Sequence, residues 1–167
     1  MKTLHLMRHA KSAWNQPELS DRERELNKRG RRDAPRMGAA LAHQLAPQSI
    51  VASPARRAQL TLFGLCAGWS ALTDFDHRTD ERLYTFDVQD LLEWISMQSD
   101  EQSSVFLIGH NPALTELLNE LVGHWQLDNL PTAGYARMTL DLETWSQTSA
   151  GCATLVQTLF PKQLPKG

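Results

Sequence analysis

Ser104-Val105-Phe106-Leu107-Ile108, followed by Gly109-His110 and Asn111-Pro112, decides how the chain is read. The first five residues form a β-prone run of the length and composition of a buried strand. Asn111 as a cap and Pro112 behind it then open a helix that extends to about Val122. The same strand-to-helix passage recurs upstream. Ser49–Ala52 reads as a strand, and Ser53-Pro54 opens a helix to about Ala67, which Gly68 stops. Thr3–Met7 is a third short strand, ending at Arg8-His9. Asn27 caps a helix to about Leu45, with Ala34, Met37, Leu41 and Leu45 at helical spacing and Pro35 expected to kink it. Leu72–His77 reads as a strand and Asp87–Met97 as a helix with Leu91, Leu92 and Ile95 inward. Tyr135–Leu142 and Thr154–Phe160 close the chain as two strands joined without a convincing helix, which implies antiparallel pairing there. The alternation predicts an α/β fold, a three-layer α/β/α sandwich with a mostly parallel central sheet and helices on both faces.

The chain has 167 residues, 41% hydrophobic and 22% charged, with a formal net charge of −2. A chain of this length buries roughly 70% of its unfolded surface in one domain, so 1–167 is expected to be a single domain. No apolar run reaches the roughly 18 residues of a membrane span. His5, Arg8, His9 and Lys11 interrupt any signal-peptide core, so a cytoplasmic protein without a membrane partner is expected. Cys66 and Cys152 are too few for a disulfide scaffold. Charge is unevenly placed: residues 1–57 hold 12 of the 17 Lys+Arg and 5 of the 19 Asp+Glu. Much of that excess lies in the stretch from Arg22 to Arg36, which reads as a solvated helix face and its approach loop. It carries no interleaved aromatics on which bases could stack, so nucleic acid is not an expected partner.

Three polar clusters share one kind of position. Arg8-His9 follows the first strand, Arg56-Arg57 lies in the first turn after the second, and His110 follows Ser104–Ile108. Open α/β sheets bind ligands outside the carboxyl ends of their strands, so parallel strands would bring the three to one rim. Taken singly, an Arg-His pair at a strand end is a surface feature, and His110 a turn residue; the coincidence is what carries the argument. Two guanidiniums about 4 Å apart repel by roughly 4 kcal/mol at an effective dielectric of 20, so such a site calls for an anion. Arginine forks and a helix N-terminus suit phosphate. A histidine beside two arginines has a depressed pKa, stays neutral near pH 7 and is nucleophilic. No Walker loop or cluster of metal-ligand carboxylates accompanies these residues, so neither a metal nor another cofactor is required. His5 alternates with Leu4 and Leu6 and is expected to pack on the other side of its strand. His43, His77 and His124 have no partner at metal-ligand spacing and default to the surface. Trp69, Trp94, Trp125 and Trp145 are expected in core or rim packing, and Trp14 either there or along the groove.

Leu6-Met7-Arg8-His9-Ala10-Lys11-Ser12 resembles the signature of the histidine phosphatase superfamily, the phosphoglycerate mutase-like proteins. Leu26-Asn27-Lys28-Arg29-Gly30 resembles its Leu-Thr-x-x-Gly helix start, Ser53 to Thr61 its Ser-x-x-x-Arg-Ala-x-x-Thr element, and Ile108 to Pro112 its second-histidine element. The four occur in order. The short chain and the Arg-His-Ala-Lys-Ser variant are most similar to SixA-type phosphohistidine phosphatases. The resemblance implies His9 as the nucleophile, with Arg8, Arg57 and His110 around the phosphate and Arg56 outward. It implies Glu81 as a proton donor and Asn15 as a further phosphate contact. Ala10 and Lys11 depart from the usual Gly and Glu; an alanine is tolerable where φ is negative.

These readings together predict a metal-independent phosphatase working through a phosphohistidine on His9, acting on a phosphorylated substrate such as a phosphohistidine-bearing signalling protein. The connections after Ser12 and Thr61 are short and leave little chain for a lid, which suits a protein substrate. The alternatives are a small-molecule phosphomonoesterase of the same superfamily and a non-catalytic phosphate-binding module.

Overall fold

The computed structural model describes residues 1–165; the last two residues of the expected domain, 166–167, lie outside them. In chain order the elements are β1 (Lys2–Arg8), α1 (Lys28–Ala42), β2 (Val51–Ala52), α2 (Arg56–Gly68), β3 (Arg78–Thr79), α3 (Val88–Ser96), β4 (Ser104–Gly109), α4 (Ala113–Val122), β5 (Tyr135–Leu140) and β6 (Ala153–Leu159). Short 3₁₀ turns lie between several of them. The sheet order is β3-β2-β4-β1-β5-β6. The pairs β3–β2, β2–β4 and β4–β1 are parallel, while β1–β5 and β5–β6 are antiparallel.

The central strands of the sheet are buried on both faces, as their apolar sequences require. Leu4, Leu6, Val105, Leu107, Met138 and Leu140 point to the layer holding Leu91, Trp94 and Ile95 of α3 and Leu114, Leu117, Leu118 and Leu121 of α4. Met7, Phe106, Ile108 and Tyr135 point the other way, to Met37 and Leu41 of α1 and Ala58 and Leu65 of α2. These two faces make the predicted three-layer α/β/α sandwich. His5 lies on the second face, stacked on Phe106 and bonded to the Tyr135 hydroxyl (2.7 Å) and Ser104 Oγ (3.0 Å), a packed histidine as expected.

Several expected elements shift. Leu72–His77 is not a strand. Ser70–Asp74 forms a 3₁₀ turn, and only Arg78–Thr79 pairs with β2. The physical reason is His77, which is half-buried, not on the surface. Its Nδ1 accepts the Ile50 N–H (2.9 Å) and its Nε2 donates to the Leu72 carbonyl (2.8 Å), replacing a strand ladder there. Helix α2 starts at Arg56 instead of Pro54; Ser53 Oγ accepts the Ala55 N–H (3.2 Å) just ahead of it and is also bonded to His110 Nε2. Helix α4 starts at Ala113, and Asn111 still caps it by accepting the Thr115 N–H (3.0 Å). Trp69, Trp94 and Trp145 are buried, but Trp125 and Trp14 are each 73% exposed, against expectation for Trp125. The Trp125 indole bonds locally to Asp128 (2.6 Å) instead of entering the core. The two cysteine thiols are free. No helix among the described residues is long and apolar enough to cross a membrane.

Helix α1 runs through Pro35 as one helix, pressed closely against α2. Gly64 of α2 faces Ala34 and Pro35, and Gly38 of α1 faces the Leu65 carbonyl. A Cβ on Gly38 would lie 2.4 Å from that oxygen, a backbone atom that cannot swing aside. Alanine would add about 1 kcal/mol of helix propensity, but overpacking costs about 1–3 kcal/mol and the contact is with backbone. Gly38→Ala is therefore expected to lower Tm by several degrees, read by thermal unfolding; an unchanged or raised Tm would show that the two helices separate freely.

Candidate active site

The register of the parallel strands builds the site. Arg8 pairs with Gly109 and Ala52 with Ile108, so the carboxyl ends of β1, β2 and β4 are level. The His9 N–H continues the ladder to the Gly109 carbonyl (3.1 Å), and the Ser53 N–H does the same to Ile108 (3.0 Å). His9 and His110 thus emerge side by side, ring centroids 5.2 Å apart. The segment after β1 is anchored to α2: the Ala10 N–H donates to Thr61 Oγ1 (2.8 Å), and that hydroxyl donates to the Arg57 carbonyl (2.7 Å). The start of α1 presses on the same segment at Gly30, where a Cβ would meet the Lys11 carbonyl oxygen at 2.2 Å. Ala10 has no positive φ; among the described residues the non-glycine residue in the left-handed region is Ala133 (φ 58°), whose N–H donates to the Arg8 and His9 carbonyls (3.0 and 3.1 Å).

His9 is almost fully buried, and its Nδ1 lies 2.8 Å from the Ala10 carbonyl. A carbonyl only accepts, so Nδ1 carries the proton and the lone pair is on Nε2. Burial lowers the His9 pKa to about 3, aided by His110, Arg57 and Arg8, against the opposing bond to Ala10. Desolvation, more than the neighbouring arginines, therefore keeps this imidazole neutral. His110 is lowered to about 3 in the same way, by burial first and then by Arg57. Its Nε2 is bonded to Ser53 Oγ (2.7 Å).

A cavity of about 320 Å³ opens above His9, lined also by Arg8, Arg24, Arg57, His110, Lys11, Asp21, Trp14 and Phe86. Arg57, 1% exposed, donates to the Asp21 carbonyl (2.6 Å) and carboxylate (3.0 Å); Arg8 donates to the Leu130 carbonyl (3.1 Å). Arg24 donates to Ser12 Oγ (2.8 Å) and lies 3.6 Å from the Trp14 ring centroid. Buried polar groups are nearly always paired, yet Arg8 Nε, Arg24 Nε, Arg57 Nε and His110 Nδ1 are buried without a partner. Four orphaned polar nitrogens, three of them guanidinium donors, on residues that line one cavity are the arrangement an oxyanion satisfies.

His9, Arg8, Arg57 and His110 are thus brought together, and Arg56 points outward with its guanidinium 3.6 Å from Glu25. Lys11 lines the cavity mouth. Glu81 and Asn15 do not line it. Glu81 is exposed and gripped by both terminal nitrogens of Arg22 (2.8 and 2.6 Å), and Asn15 lines the adjoining groove beyond Trp14. Asp21 and Arg24 enter instead, although their stretch reads as a solvated face. The loop 13–25 is pinched at its base by the Ser12–Leu26 bridge and the Ala13–Glu25 hydrogen bond (2.8 Å), which folds it back over the cavity. The short connection after Ser12 therefore contributes a wall. Burial would raise the Asp21 carboxyl, but hydrogen bonds from Tyr84 (2.6 Å) and Arg57 outweigh it and hold the pKa at about 2. The signal that could have exposed these residues is an acid and an arginine three apart in the loop directly behind Arg8-His9. Among the described residues no three His, Cys, Asp or Glu side chains gather as a metal-ligand set.

The profile of the "Histidine phosphatase superfamily (branch 1)" matches residues 4–91. An uncharacterized protein of Mycobacterium tuberculosis, Rv1276c, is 31% identical over 168 residues, covering 93% of this chain and all of its own length. Among solved structures, a candidate phosphohistidine phosphatase SixA from Agrobacterium tumefaciens superposes with a TM-score of 0.79 at 26% identity, covering 96% of this chain and 98% of its own. The protein histidine phosphatase SixA complexed with tungstate superposes with a TM-score of 0.77 at 23% identity, covering 96% and 98%, and at that identity shows the shared fold. With its ordered motifs and the cavity they surround, the chain belongs to the histidine phosphatase superfamily.

Proposed function

We propose that this protein is a phosphatase that takes a phosphoryl group onto His9 Nε2 and then passes it to water, with protein phosphohistidine as its substrate. One observation carries the reading: a buried neutral imidazole, its free lone pair fixed on Nε2, shares a cavity with four residues that each carry an orphaned polar nitrogen. In the first step Nε2 attacks phosphorus, the substrate's P–N bond breaks, and its electron pair stays on the departing imidazole, which is protonated from solvent. In the second, water attacks phosphorus, the bond to Nε2 breaks, and inorganic phosphate leaves with the water's oxygen. Phosphoryl transfer depends chiefly on positioning and charge stabilisation. Arg8, Arg57 and Arg24 supply the positive charge and, with the Ser53 hydroxyl donating to its Nε2, His110 carries Nδ1–H as a further donor, so the scheme needs no metal.

The substrate class follows from what surrounds the cavity. An alkoxide leaving group needs a proton in the transition state. The nearby carboxyl groups are poorly suited to give one: Asp21 is held ionised, and Glu81 is outside and tied to Arg22. An imidazole is a far better leaving group and needs less help. The comparison with SixA structures supports the same choice.

Mixing the enzyme with a ³²P-phosphohistidine protein and quenching rapidly in alkali is expected to leave label on His9. His9→Ala is expected to lose at least about 10³-fold in turnover, and full activity is expected in chelator. Faster turnover of sugar phosphates than of phosphohistidine would favour the phosphomonoesterase reading, and phosphate binding without any labelled enzyme the binding-module reading. In NMR titrations of the free enzyme, the His9 and His110 imidazoles are expected to stay neutral from pH 8 to pH 5, since both pKa values are lowered to about 3. Saturating tungstate, by adding negative charge, is expected to raise both. Protonation of His9 near pH 6.5 in the free enzyme would contradict a nucleophile kept neutral by burial.

A further inference from the structure

Two large aromatic side chains stand exposed at the mouth of the cavity without a part in the core. Trp14 is 73% exposed and Phe86 48%, and both line the basin that holds His9. Exposed apolar surface gathered at the rim of a cavity marks a recognition site, whereas singly scattered apolar residues do not.

Neither ring is loose. The Trp14 indole lies 3.6 Å from the Arg24 guanidinium, close enough for cation–π stacking. Arg24 is itself held by Ser12 Oγ (2.8 Å) and by the Asp21 carboxylate (3.2 Å). Trp14 therefore has one face on a fixed cation while most of its surface stays open to solvent. Phe86 packs against His110 (5.5 Å between centroids) and edge-on to Tyr84 (5.9 Å), whose hydroxyl is bonded to Asp21. The two come from separate loops, one after β1 and one before α3, and both positions are set by residues that also set the anion pocket.

With the phosphoryl group seated over His9 among the arginines, the leaving group is the part of the substrate that occupies the mouth. A sugar or serine leaving group brings hydroxyls or aliphatic chain, for which aromatic faces offer few hydrogen bonds. A flat heteroaromatic ring has a π face to stack and, when protonated, a positive charge that aromatic rings also hold. We propose that Trp14 and Phe86 form an aromatic mouth that stacks the imidazole of the leaving group, selecting phosphorylated histidine over aliphatic phosphate esters. This deepens the phosphohistidine reading above and rests on it.

The test compares kcat/KM for phosphoimidazole with kcat/KM for phosphoserine in the wild type, Trp14→Ala, Phe86→Ala and the conservative Trp14→Phe. Stacking a heteroaromatic ring on an aromatic side chain is worth about tenfold in affinity. Each alanine variant is therefore expected to lower the phosphoimidazole-to-phosphoserine ratio by about tenfold, chiefly through KM, and Trp14→Phe to recover most of it. A ratio unchanged in both alanine variants, with either equal losses on the two substrates or none, would overturn the aromatic mouth. If the wild type labels His9 from phosphoimidazole, such a result leaves the phosphohistidine reading standing. If the wild type neither turns over phosphoimidazole nor labels His9 from it, that reading falls, and the mouth with it. Thermal unfolding of each variant, expected near the wild-type Tm because both rings are exposed, separates loss of recognition from loss of fold.

Discussion

The pairing of β1 with β4 is the constraint on which the rest depends. These strands lie side by side and parallel at the centre of the sheet, in a register that puts Arg8 opposite Gly109. The residues that leave the two strands are then neighbours by construction, and both are histidines. A one-residue slip would turn every side chain of one strand to the opposite face. It would put Leu4 and Leu6 where His5 and Met7 pack, and would carry His9 away from His110. The apolar alternation that fills both helical layers is therefore also what aligns the two imidazoles, so core packing and site geometry have one cause.

The polar surroundings follow from that alignment. A basin with three arginines is unfavourable in isolation, and the fold moderates it with the Asp21 carboxylate and with carbonyls from the loops. The moderation is incomplete, because a buried polar nitrogen is left on each of four residues. A protein interior rarely tolerates such groups unless something else satisfies them. The incomplete pairing is what distinguishes this rim from the cationic outer face of α1. There Arg29 and Arg32 are more than half exposed and lie near the buried Asp33.

Much of this was legible before any coordinates. Strand ends, two of them followed by a cap and proline, together with ordered motifs, pointed to His9, Arg8, Arg57 and His110, which the fold brings to one cavity, and to the sandwich that holds them. What the sequence did not disclose depended on loops folding back. Asp21 and Arg24 sit in a run of alternating charges that locally matches a solvated surface, and only the bridge between Ser12 and Leu26 turns that run inward. Glu81 has a motif-like neighbourhood, but Arg22, far away in sequence, competes for its carboxylate. Ser53 reads as an ordinary helix cap because its engagement with His110 is a tertiary contact. His77 fails as a strand residue for the same reason: its ring bonds two backbone groups that periodicity alone assigns to a ladder.

The hydrogen bond that fixes the proton on His9 runs to the carbonyl of the very next residue. In many catalytic constellations the orienting group is delivered from a remote segment and is lost whenever that segment breathes. Here the orienting group travels with the ring it orients. Small opening motions of the surrounding loops would change access to the imidazole while leaving its tautomer intact. On the proposed reading, readiness for attack is thereby a local property of a two-residue unit, set apart from fluctuations elsewhere in the molecule.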